Sequence, residues 1–177
     1  MATGIEGLDA LSTLALLAIT FATVTALVML VRQTMGGKLS NFDVYLITSY
    51  VEIGFAIAIS AMLPSIFVLF DLRLAVLWAI TSIGAAILLG GVGLGVFTLR
   101  KKATPQPMSR GVIFSFLMMT VSVAMLLANA VVSPIQGTGL FIGALTLSLA
   151  VIMWAFVRRV ASLLGDKAME DWDPKRG

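Results

Sequence analysis

The sequence predicts an all-α protein, a polytopic membrane helix bundle with five transmembrane helices. Three observations carry that prediction. The chain is 59% hydrophobic and only 12% charged over 177 residues, with mean hydropathy +1.05, whereas a soluble domain carries about 25% charged residues. Five apolar runs approach or exceed the roughly 20 residues needed to cross a hydrocarbon core of about 30 Å. The basic residues fall in alternate connections, the signature of a chain that threads a membrane repeatedly. The connections are too short for a second folded unit, so one transmembrane domain is expected over 1–160, followed by a tail at 161–177.

The helices are expected at about 10–31, 44–69, 74–99, 111–133 and 140–157. A short acidic stretch, Met1–Asp9, precedes the first. It lacks a basic n-region and leads into a run longer than a signal-peptide core, so a retained helix is expected. The second run carries Pro64, an expected kink near its far end. The turn Asp71–Leu72–Arg73 makes helices two and three antiparallel neighbours. Pro105 and Pro107 favour an extended connection into the fourth run. The segment Ser133–Gly139 turns tightly into the fifth, which extends into the mixed-charge tail and ends in a frayed stretch, Asp166 to Arg176.

Orientation follows from the charges. Arg32 and Lys38, then Arg100, Lys101, Lys102 and Arg110, then Arg158, Arg159, Lys167, Lys175 and Arg176 all fall on one side of five crossings; only Arg73 falls on the other. The positive-inside rule places the N-terminus outside and the C-terminus in the cytoplasm, and the expected location is the cytoplasmic membrane of a prokaryote. The pI near 9.6 is thus a topology signal, and no nucleic-acid partner is expected. The Arg100–Lys102 cluster could also attract anionic lipid, although topology accounts for it.

The residue inventory narrows the chemistry. The chain has no Cys and no His. That excludes thiolate nucleophiles, Cys-ligated clusters, His-ligated haem and imidazole acid–base chemistry. No nucleophile–base pair stands out, and no enzyme, metal or cofactor is expected.

One residue breaks the apolar runs. Glu52 lies about 12 Å inside the second helix at 1.5 Å per residue, too deep for its short stem to snorkel. An acidic residue near the bilayer centre costs about 2.5 kcal/mol or more on insertion scales, so a function is the default reading. By three-and-four spacing Glu52 shares a face with Tyr45, Thr48, Ser49, Ala56 and Ser60. Ser115, Ser122 and Asn129 recur every seven residues on the fourth helix, and Thr13, Thr20 and Thr23 cluster on the first. Together they predict a shared, partly hydrophilic interior. The plainer reading is that the hydroxyls bond their own backbone; it leaves Asn129 and Glu52 unexplained.

Small residues predict where helices approach. Ala18, Ala22 and Ala26 recur at four-residue spacing on the first helix, and Gly91/Gly95 and Gly139/Gly143 have the GxxxG spacing, read chiefly as packing within the bundle. GGVGLG around Gly91 lies inside an apolar run, without the strand-to-helix setting a nucleotide fingerprint needs. Trp78, Trp154, Tyr45 and Phe70 lie near predicted interfaces, as belt anchors do. The ten Met residues read as core filler. The functional expectation is proton- or cation-linked transport, or a channel subunit, with Glu52 titrating or attracting the cation beside Thr48, Ser49, Ser60, Ser122 and Asn129. The rival is a non-catalytic accessory or assembly subunit. Either implies a homo-oligomer or other membrane subunits as partners, besides the lipid bilayer.

Overall fold

The structure, a computed structural model, describes residues 7–34, 41–103, 110–132 and 136–170. These form α1 (Leu8–Thr34), α2 (Asn41–Val68), α3 (Leu74–Ala103), α4 (Arg110–Val131) and α5 (Thr138–Glu170), with no strand among the described residues. All five contain a stretch long and apolar enough to cross a membrane. The chain is a multi-pass membrane protein. The helices begin and end within a few residues of expectation except α5, which runs on to Glu170. The connection holding Pro105 and Pro107, the tip of the α4–α5 turn and the last seven residues of the tail lie outside the described residues.

Helices α2 to α5 form a ring in which each packs on its sequence neighbour and α5 closes back on α2; α1 seats on α2 and α5. Side-chain pairs fix the directions. Tyr45 meets Val96, Ser82 meets Asn129, and Phe114 meets Trp154, so consecutive ring helices run antiparallel. Gly7 meets Thr138, and Phe21 meets Phe156, so α1 runs parallel to α5. Two distinct ends result. The hairpin end holds the α2–α3 and α4–α5 turns; the basic end holds the C-termini of α1 and α3 and the N-termini of α2 and α4.

The α2–α3 turn is tight, as expected, and Asp71 adopts φ 50°, a left-handed conformation that Asp tolerates better than most residues. Helix α2 continues through Pro64, which is fully buried. Helices α1 and α2 approach closely at Gly54. A Cβ added to Gly54 would lie 3.1 Å from the Ala22 Cβ and 3.3 Å from the Ala18 carbonyl oxygen. The alanine spacing on the first helix is therefore a packing seam at Ala18 and Ala22, and it ends there because Ala26 is exposed.

The predicted glycine seams do not pack in this way. Nothing lies within 4 Å of a Cβ built on Gly91, Gly95 or Gly139, and Gly143 meets only the end of Met125 at 3.6 Å. Close approach needs a small residue on the facing helix as well. Gly54 has that partner; the α3 glycines do not. Trp78 also departs from expectation. It is buried, 2% exposed, and packs on Phe141 in the hairpin end. Trp154 and Phe70 do face outward.

Candidate functional site

The residues expected to surround Glu52 do not gather around it. Glu52 and Thr48 stand on the exposed strip of α2, whereas Ser49 and Ser60 are buried. The reason is angular. Each residue turns the helix by about 100°, so the predicted polar face covers an arc of about 120°. Helix α2 packs against α1, α3 and α5, and the boundary between buried and exposed surface cuts through that arc. Glu52 therefore shares its strip with Phe55, Ile59, Met62 and Ile66, all about half exposed.

Height separates the others. At 1.5 Å per residue, Glu52 lies about 12 Å from the basic end of its span and Asn129 about 28 Å from the basic end of α4. Asn129 is instead the centre of a structural node. Its Nδ2 donates to Ser82 Oγ on α3 at 2.8 Å, and its Oδ1 accepts from the Gly137 amide at 2.9 Å. Gln136 Nε2 donates to the Ala130 carbonyl at 2.9 Å in the same turn. Asn129 thus ties α4 to α3 and to the start of α5, and both its polar atoms are used.

The hydroxyls follow the plainer reading. Ser49, Ser115 and Ser122 each donate to the carbonyl four residues earlier. Thr13, Thr20 and Thr23 do the same on the exposed face of α1, so α1 contributes no polar stripe to the interior. Ser60 is the exception. It is fully buried, and its Oγ has no hydrogen-bond partner among the described residues.

A different group of residues lines a recess at the basic end. Tyr45, Ser49 and Tyr50 of α2, Arg100 of α3 and Ser115 of α4 line a partly open cavity of about 90 Å³, with α5 forming its remaining wall. Arg100 is only 8% exposed. The Tyr45 hydroxyl donates to the Val96 carbonyl at 2.7 Å, which bridges α2 to α3 beneath it. Tyr50 packs edge-on against Phe156, and the Arg158 guanidinium lies 5.0 Å over Trp154. Asp9 and Asp71 stand at the opposite, hairpin end. The sequence named Tyr45, Ser49, Ser115 and Arg100 separately, but nothing in residue order brought them to one recess.

Compared with known protein families, characterised proteins and solved structures, the chain matches none. Its function is therefore argued from the geometry alone. Three features compete for it: an outward carboxylate at membrane depth, a satisfied polar node at the hairpin end, and an inward arginine at the basic end. The node is spent on holding the turn. The described groups include no cluster of His, Cys, Asp or Glu suited to a metal.

Proposed function

We propose that this chain is a non-catalytic assembly subunit of a membrane complex, joined to its neighbours along the Glu52 strip of α2. The observation that carries this reading is the outward exposure of Glu52 within the apolar span Val44–Val68. A carboxylate facing hydrocarbon at that depth is costly. A neighbouring chain that offers it a cation or hydrogen-bond donors removes the cost, and Phe55, Ile59 and Met62 give the same strip an apolar contact surface. The basic end is the cytoplasmic end in this reading, following the positive-inside rule in a prokaryotic cytoplasmic membrane.

Site-specific photo-crosslinking tests the proposal. A benzophenone side chain at Ile59, on the strip, should capture a second polypeptide in native membranes; the same group at Leu17, on the outer face of α1, should not. Equal capture at both sites, or none at either, defeats the proposal. A second reading keeps the transport role. With Glu52 facing outward, Glu52 side chains from several copies would line a seam between them. Flux of protons or cations through reconstituted protein, abolished in Glu52→Gln, would select it.

A further inference from the structure

We infer that the cavity at the basic end holds the anionic headgroup of a membrane lipid, with one acyl chain leaving between α3 and α4. The first ground is Arg100. A guanidinium keeps its charge at any physiological pH and presents a fork of donors suited to phosphate. Here it is more than nine-tenths buried and lines the cavity. Topology needs only a charge at this end of α3, which an outward side chain would supply as well. An inward one answers to something inside.

The second ground is the shape of the space. Arg100, Tyr45, Ser49 and Ser115 are polar residues of its lining, and the wall is otherwise mostly apolar, with Ile53, Val96 and Met119 among it. About 90 Å³ holds several water molecules or one headgroup. Phe116 and Met119 line this cavity, and their other sides line a second space, an open groove of about 360 Å³ between α3 and α4. That groove is floored by Gly90 and Gly93, where a Cβ would meet nothing within 4 Å, and walled by Leu94, Phe97 and Val123. The glycines packed by no helix thus form a smooth apolar channel beginning where the charged recess ends. A charged head with a long tail fits both spaces; a free anion would leave the groove unexplained.

Native mass spectrometry of the full chain in mild detergent tests this, with phosphatidylglycerol and phosphatidylcholine of equal chain length supplied together. The wild type should retain phosphatidylglycerol in about tenfold preference, a margin in keeping with a charge-assisted bidentate contact. Arg100→Gln should lose the preference, and Arg100→Lys, which keeps the charge, should retain part of it. Gly93→Leu, which fills the groove, should reduce retention of the long-chain lipid several-fold while leaving a water-soluble short-chain analogue unaffected. Wild-type indifference to headgroup charge overturns the inference. So does full retention in Arg100→Gln, or in Gly93→Leu. Displacement of the lipid by excess inorganic phosphate would make the cavity a soluble-anion site and overturn it equally. The Lys and Leu variants keep the test decisive if Arg100→Gln does not fold.

Discussion

The two ends of this bundle are built differently. At the hairpin end the interior is filled and cross-tied: Trp78 lies on Phe141, Asn129 spans α3, α4 and the turn into α5, and Gly7 lets α1 start directly against Thr138. At the basic end, among the described residues, the Tyr45–Val96 hydrogen bond bridges α2 and α3 beside a cavity lined by a buried arginine. The difference teaches where stability and function are divided. Elements held by full packing and satisfied polar groups resist rearrangement, while ligand sites are concave and less completely filled.

The contrast can be broken most forcefully at Trp78. Trp78→Ala should lower stability by about 3–5 kcal/mol, the usual range for an emptied aromatic site, in denaturant titration of the bilayer-embedded protein. Trp154→Ala, at the exposed surface of the other end, should cost far less; equal losses would erase the distinction between the ends. Asn129→Ala should cost about 1–2 kcal/mol, since interhelical hydrogen bonds in membranes are modest but the Gly137 amide also loses its acceptor. Faster hydrogen exchange at Gly137 would locate that loss. Tyr45→Phe removes the bond to Val96 and should cost about 1 kcal/mol or less while loosening the cavity. The smallest effect is expected at Ser60. Replacing an unpartnered buried hydroxyl by a methyl should be neutral or slightly stabilising, and a clear loss on Ser60→Ala would mean that its Oγ has a partner after all.

Much of the architecture was legible from residue order. Apolar length located all five helices, and the short Asp71–Arg73 turn placed α2 beside α3. Facing was far less legible, for a physical reason. In a membrane the interior of the bundle and the surrounding lipid are both apolar, so hydropathy does not distinguish an inward Leu from an outward one. Glu52 could be found as an oddity, but its azimuth depended on how many neighbours surround α2. Asn129 likewise stood out, while its partner Ser82 was one hydroxyl among many. Trp78 lay close to a predicted interface in sequence, yet being near an end does not tell whether a ring points in or out. Gly54 escaped notice because it is a single glycine; its significance comes from Ala18 and Ala22 on another helix. Arg100 was visible throughout, but a rule about orientation is silent on the direction of a side chain.

The seating of α1 has a consequence for how the molecule is made. Chains emerge N-terminus first, so α1 reaches the membrane before α5. Yet α1 rests on α2 and α5 together, Phe21 on Phe156 and Gly7 on Thr138, and α5 also closes the ring on α2 and covers Trp78 with Phe141. Until α5 inserts, α1 lacks one of its two main neighbours, α4 lacks one of its two, and Trp78 lacks its ring partner. A nascent chain stopped before Thr138 should therefore span the membrane four times and still leave its helices loosely associated, open to protease and to premature contacts. The ring closes, and Trp78 gains its cover, only with α5.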